Sequence, residues 1–382
     1  MQVQVPSSQP VAQPVVVAAS PVMVDGFPAQ VKELGPQSVV GIPIDVSTFV
    51  TSQFGLPIDP VPMLDAQTAG ILASVNKFKV KQRLAWMEAL TQGACEQSNI
   101  YDIFDDNTNQ PLFTAVEESD GCTRCCCAPH HSFHLKFKPA AVGVPKSALG
   151  GHPTLMTMER EGCCSKWGLG CWACNDDCKD GYFLHAGDVV GEPGKVQMSS
   201  GRVMGFATQP SMGGGFTPTV NVMERLDETG SKWGAMAKIE GPQCFGGCSE
   251  LCCDSAWPVS KMAADDFHNR LFVGDFATIT KRKPNGLGAA LQEAMTDSDT
   301  YTIEFNPNVA LAPQQKALML SSLVQIDFMF FEKDNGMCKS EGGKIKITLF
   351  ECYCYGCTCP CNLEFGGNNG GGAPPKPDEM ER

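Results

Sequence analysis

The segment "ALMLSSLVQIDFMFF", residues 317–331, restricts the fold more than any other stretch of the chain. A helix of its fifteen residues rises roughly 22 Å at about 1.5 Å per residue. A bilayer's hydrocarbon core asks for roughly 30 Å, or about 20 residues. The run also carries Gln325 and Asp327, and an acidic side chain near the centre of a spanning helix costs about 2.5–3.5 kcal/mol. A helix of this length, apolar on nearly every side, is better satisfied by burial inside a soluble domain.

The rest of the chain offers short strands to surround it. "NIYDIF" is followed by the turn-rich "DDNTNQ" and then by "PLFTAVEE"; "TVNVMERL" is followed by "DETG" and "KWGAMAKIEG"; "SFHLKFK" and "TLMTMERE" flank the Gly- and Pro-containing segment 139–153. Alternation near period two with Asp, Asn or Gly between marks antiparallel hairpins. Each pair runs into cysteines, at Cys122, Cys163 and Cys244, so a strand–turn–strand–cysteine unit recurs as a weak internal repeat. Further on, "RLFVGDFATITKR" and "YTIEF" read as strands, and "GLGAALQEAM" between them as a short helix with Leu287, Leu291 and Met295 on one face. The ends differ. "QVPSSQPVAQPVVVAASP" and "GGNNGGGAPPKPDEMER" read as flexible tails. Pro57 and Pro60 form one PxxP, a weak docking motif for protein partners that a plain linker explains equally simply.

Charge and cysteine usage narrow the function. A net charge of −13 and a pI near 4.9 speak against nucleic acid, which needs a cationic face. They also oppose anionic lipid unless cations or a local basic patch intervene. The 20 cysteines fall mostly in four clusters. The chain's start shows no secretory signal, and thiols kept reduced in the cytosol make a disulfide framework the lesser reading. Metal binding and acylation remain, and no catalytic nucleophile or phosphate loop is visible. A Cys127–His130 nucleophile pair lacks the orienting third group that such a pair needs.

Several segments are collinear with one family. "KQRLAWMEALTQG" (81–93) precedes "NIYDIFDDNTNQPLFTAVEESDGCTRCC"; "TMEREGCC", "ALQEAMTDSDTYTIEF" and "QIDFMFFE" (325–332) follow in order. Together they make the stretch from about 70 to 335 resemble the phospholipid scramblase family of the Tubby-like superfamily. The resemblance implies a closed antiparallel β-barrel of about twelve strands around a buried hydrophobic C-terminal helix, 316–332. It also implies a mainly β division of the chain into a Pro/Val/Gln-rich tail over 1–68, a barrel domain over 69–335 and a Cys-rich, then Gly/Pro-rich tail over 336–382. The activity it implies is ATP-independent, bidirectional, calcium-stimulated movement of phospholipids between leaflets, without covalent chemistry. The implied setting is the cytoplasmic face of the plasma membrane through acylated cysteines, or the nucleus. Transport by so short a helix would ask for a homo-oligomer or a thinned bilayer. The rival reading is a non-transporting, lipid-tethered or nuclear binding module that holds zinc.

Four sets of residues carry these expectations. The family's calcium segment falls on "DSDTYTIEFNPN", where Asp297, Asp299, Glu304 and Asn308 supply oxygens; Thr302 and Asn308 stand where an EF-hand has Gly and Glu. Acylation falls on Cys163, Cys164, Cys171 and Cys174, or on Cys357, Cys359 and Cys361 in "CYCYGCTCPC". Zinc would use Cys122, Cys125, His130 and His131, a knuckle spacing followed by imidazoles. Lys281, Arg282 and Lys283 form a basic run, suited to nuclear import or to anionic lipid.

Overall fold

In the computed structural model the described residues are 62–83, 98–127, 130–162, 173, 179–196, 201–262, 272–284, 299–332, 338–341 and 344–366. Twelve strands close into one barrel: β1 (Lys77–Gln82), β2 (Ile100–Asp105), β3 (Pro111–Glu118), β4 (Phe133–Pro139), β5 (Met156–Arg160), β6 (Gly181–Ala186), β7 (Val203–Thr208), β8 (Thr219–Arg225), β9 (Trp233–Glu240), then β11 (Ser255–Met262), β12 (Phe272–Lys281) and β13 (Thr300–Phe305), with β10 (Cys244–Phe245) left outside it. Neighbours pair antiparallel around the whole ring, and β1 closes it between β13 and β2. Closure leaves no open edge on this sheet.

The alternation in the sequence is the inside–outside alternation of the wall. Phe78 and Val80, Tyr101 and Ile103, Phe133, Leu135 and Phe137, Met156 and Met158, and Tyr301, Ile303 and Phe305 are all buried in one core. That core is built on the central helix, Pro313–Ile326, whose residues from Lys316 to Ile326 are buried all round. Pro313 occupies its first turn, where no N–H is needed. Gln315 Oε1 accepts the Ala312 N–H at 3.0 Å. The helix lies hard against the wall at Gly205: a Cβ there would meet Leu318 at 2.7 Å and Met223 O at 2.4 Å. One π-helical turn, Asp327–Phe331, ends it, closed by Glu332 N–H donating to Asp327 O at 2.9 Å.

A short helix, α1 (Ala66–Ser74), plugs the other end of the barrel with Leu72. Asp65 caps it by accepting the Gln67 and Thr68 N–H groups at 3.0 and 2.9 Å. The buried Lys316 ammonium takes its last carbonyls, Ala73 O at 3.0 Å and Val75 O at 2.6 Å. Helix α1 starts before residue 69, so the folded region begins earlier than the expected boundary.

Within the stretch over 336–382 expected from sequence as a Cys-rich tail, residues 338–341, 344–354 and 357–365 form strands. β14 (Cys338–Glu341), β15 (Lys344–Cys354) and β16 (Cys357–Phe365) join β10 in a second sheet. Tyr353 anchors it: fully buried, its ring 5.8 Å from Phe330, its hydroxyl donating to Gly213 O at 2.9 Å. Cysteine-rich strands lack the large apolar alternation that marked the barrel, and a single buried aromatic gives little pattern to read. The short helix expected over 286–295 lies outside the described residues.

Candidate functional site

Two features stand apart from ordinary barrel packing. One is a buried polar cluster where the central helix ends. The other is the outer face of the second sheet.

The cluster forms because β12 and β13 carry ionisable residues on their inward positions. Lys281, the last residue of β12, and Asp299, just before β13, are both buried. Lys281 Nζ lies 2.6 Å from Asp299 Oδ2 and 2.6 Å from Glu250 Oε2, and 4.1 Å over the Phe331 ring. The Tyr301 hydroxyl touches Asp299 Oδ2 at 3.0 Å and also Asp327 Oδ1. Tyr101 donates to Asp327 Oδ2 at 2.6 Å. A phenol has one proton, so Tyr301 can donate to only one of its two carboxylates. Burial first, then the charge of Asp299, pushes the Asp327 carboxyl up to about 6. Burial likewise raises Glu250 against the opposing pull of Lys281, and it raises Glu332 well above the carboxylate range. The arrangement gathers Lys281, Asp299, Glu250 and Asp327 with two tyrosine hydroxyls at the end of the helix.

A second layer continues the network. His131 Nε2 meets Glu117 Oε1 at 2.8 Å, and Glu117 Oε2 accepts the Asn99 N–H at 2.8 Å. Asn99 also donates to Glu332. Arg160 is held by Asp180 through two contacts, 3.1 and 2.5 Å, with its guanidinium 5.6 Å from both the Phe133 and Phe328 rings. On the other side of the wall Glu159 sits between His185 Nε2 at 2.8 Å and His134 Nε2 at 4.0 Å, and accepts the Val196 N–H at 2.9 Å. Burial alone would raise Glu159; the histidines and the backbone donor outweigh it and hold the carboxyl down at about 2.

These contacts relocate the residues singled out from sequence. Asp299 is paired inside the barrel, whereas Glu304, one place beyond the inward Ile303, faces outward, exposed and paired with Lys77 at 2.7 Å. Asn308 donates its N–H to Asn306 Oδ1 in a turn, and Asp297 lies outside the described residues. The barrel wall thus separates Asp299 from Glu304, and these residues do not fit one calcium shell. Zinc meets a similar obstacle. His131 is buried on Glu117 while Cys122 and His130 are exposed, the Cys125 side chain is outside the described residues, and among the described residues no three His, Cys, Asp or Glu side chains are placed to hold a metal. The basic run is also broken up: Lys281 points into the cluster, Arg282 pairs with Asp106 at 2.8 Å, and only Lys283 is largely on the surface. The run straddles the end of β12, so Lys281 takes the strand's inward position while Arg282 and Lys283 leave it. Cys163, Cys164, Cys171 and Cys174 lie outside the described residues.

Cys357, Cys359 and Cys361, by contrast, fall on one face of β16, together with Leu363 and Phe365. Register places Ile345 opposite Phe365, Ile347 opposite Leu363, Phe350 opposite Cys361, Cys352 opposite Cys359 and Cys354 opposite Cys357. Cys244 of β10 lies beside Cys352 on the other side. This face therefore carries thiols and large apolar groups with no charge between them. It is open: Ile345 and Phe365 are each 52% exposed and Leu363 44%. The reverse face holds the buried Tyr353 and a polar pair, Thr348 donating to Asn362 at 2.8 Å.

The barrel and its central helix coincide with a known family. The scramblase family model matches residues 57–192 and 234–333. The chain belongs to the scramblase family. Scramblase-family relatives include mouse phospholipid scramblase 1, 27% identical over 73% of this chain and 68% of the relative. Bovine phospholipid scramblase 2 is 25% identical over 78% of this chain and 84% of its own length. Human phospholipid scramblase 1 is 25% identical over 71% and 68%. No solved structure matches. The scramblase match stops before β14, so the thiol face lies beyond it.

Proposed function

We propose that this chain moves phospholipids between the two leaflets of a membrane, in both directions and without ATP, and that it meets the membrane through the thiol and apolar face of β15 and β16. The observation that carries the first part is the family match across the barrel and its helix. The second part rests on the unbroken row of Cys357, Cys359, Cys361, Leu363 and Phe365. Acyl chains on two of these thiols would anchor the chain stably, where one would bind reversibly. The cytoplasmic face of the plasma membrane suits such acylation. A non-transporting, lipid-tethered module is favoured by a different observation: the central helix is spent on the barrel core, and no described helix is long and apolar enough to cross a membrane.

A reconstituted-vesicle assay separates the two. Full-length, acylated protein is placed in vesicles holding fluorescent phospholipid, and dithionite is added with and without calcium and ATP. Scrambling bleaches well beyond the outer-leaflet half and needs no ATP. Bleaching that stays at half under every condition establishes the tethered module instead. Because Asp299 is held by Lys281 at 2.6 Å, calcium stimulation, where seen, should survive Asp299→Asn.

A further inference from the structure

Outside the polar cluster and the acylation row, one pair of nucleophilic groups is already in bonding position. Cys244 and Cys352 are register partners in β10 and β15. The Tyr353 N–H donates to Gln243 O at 2.7 Å, so the bonds flank the cysteine pair rather than join it. Cys244 and Cys352 thus occupy a non-hydrogen-bonded site, where Cα atoms of antiparallel strands approach to about 4.5 Å and side chains lie closest. That spacing is inside the range disulfides accept, about 4.4–6.8 Å. Their sulfurs are 3.0 Å apart, about 1 Å beyond a disulfide bond. Cys352 has a second register partner, Cys359 of β16. A residue's N–H and C=O point to one side of its strand, so those of Cys352 turn toward β16. That makes Cys352–Cys359 a hydrogen-bonded pair, with Cα atoms about 5.5 Å apart and side chains held farther away.

We propose that Cys244 and Cys352 are a redox site, forming a reversible disulfide that ties β15 to β10 within the second sheet. The reaction is thiol–disulfide exchange with a low-molecular-weight disulfide. The exposed Cys244 loses its proton and attacks one sulfur of that disulfide, releasing one small thiolate and leaving a mixed disulfide. Cys352 then loses its proton and attacks the Cys244 sulfur, releasing the second. Two cysteine thiols are oxidised, and one disulfide is reduced to two thiols. The bond would fix what lies on either side of it. Phe245, next to Cys244, stacks on Trp257, Phe330 and Phe331, and Tyr353, next to Cys352, on Phe330. Oxidation therefore clamps the aromatic cover over the helix end and withdraws two thiols from the outer face. The inference does not depend on the lipid-transport reading.

The test uses the full-length chain in excess oxidised glutathione or in dithiothreitol. Remaining thiols are blocked with N-ethylmaleimide, and the protein is digested without reduction and mapped by mass spectrometry. The expected result is a linked Cys244–Cys352 peptide pair as the main product at Cys352, with alkylation of both thiols reduced at least tenfold and restored by dithiothreitol. In Cys244→Ser, Cys352 should be recovered alkylated. Oxidation should also raise the melting temperature by several degrees, a rise absent in Cys244→Ser and Cys352→Ser although both melt like the parent when reduced. Full alkylation of both cysteines after oxidation, or Cys352 linked chiefly to Cys359, overturns the assignment.

Discussion

Individual side chains in this molecule are governed by which side of the wall their strand parity puts them on. Glu224, in β8, is 8% exposed and accepts from Gln315 Nε2 at 2.8 Å. Burial outweighs that hydrogen bond and pushes its carboxyl up to about 7. An unfolded Glu titrates near 4.3. Below about pH 3.5 both states are neutral and the site costs nothing. As pH rises toward 7 the unfolded chain releases its proton first, and stability falls by an amount on the order of 3 kcal/mol. Glu224→Gln keeps the shape and removes the charge. Chemical denaturation at pH 5 and pH 8 should show the variant more stable than the parent by about 1 kcal/mol at the lower value and by about 3 kcal/mol at the higher. Equal curves at both would mean that the carboxylate is solvated. The same parity explains what the sequence concealed. Lys281 and Asp299, eighteen residues apart, look like separate surface features until β12 and β13 pair and turn both inward. The Glu159–His134 contact was closer to legible, since both lie in strands flanking one connection and are direct register partners; pairing "SFHLKFK" with "TLMTMERE" residue by residue would have found it.

At the scale of elements, the barrel strands and the central helix were readable because each satisfies a strong period. Phe133, Leu135 and Phe137 alternate, and residues 317–331 are apolar on nearly every side. The second sheet escaped because its period-two residues are cysteines, which read as chemistry before they read as pattern. Its attachment depends on Tyr353 packed against Phe330 and bonded to Gly213 O. A Cβ on Gly213 would strike the Tyr353 hydroxyl oxygen at 2.1 Å, and Gly213 sits at φ +62°, so the pocket is shaped for this ring. Removing a fully buried aromatic costs about 3–5 kcal/mol. Tyr353→Ala should therefore lower stability by about 3 kcal/mol in urea unfolding. A change below 0.5 kcal/mol, the ordinary size for a surface site, would return 336–382 to the status of a tail.

For the whole molecule, the proposed membrane contact has to be reconciled with a net charge of −13. Long-range electrostatics repel it from anionic headgroups, and the one basic run is divided between interior and surface. On that proposal the attraction comes from apolar burial, which Debye screening does not weaken. The face of β15 and β16 would supply it: fully burying Leu363 or Phe365 is worth roughly 1.5–3 kcal/mol each, less the part each already buries, and acyl chains would add about 0.8 kcal/mol per buried CH₂. Leu363→Asp with Phe365→Asp removes this term and adds two charges while touching nothing in the barrel core. Vesicle flotation of the full-length protein should then show binding at least tenfold weaker than the parent. The loss should persist on neutral lipid and at high salt, where added charge hardly acts, with the melting temperature within a degree or two of the parent. Replacing Cys357, Cys359 and Cys361 with Ser should abolish hydroxylamine-sensitive acylation and weaken binding further. Binding that falls mainly with rising salt, and not with these substitutions, would place the contact on exposed lysines and arginines instead of on this sheet.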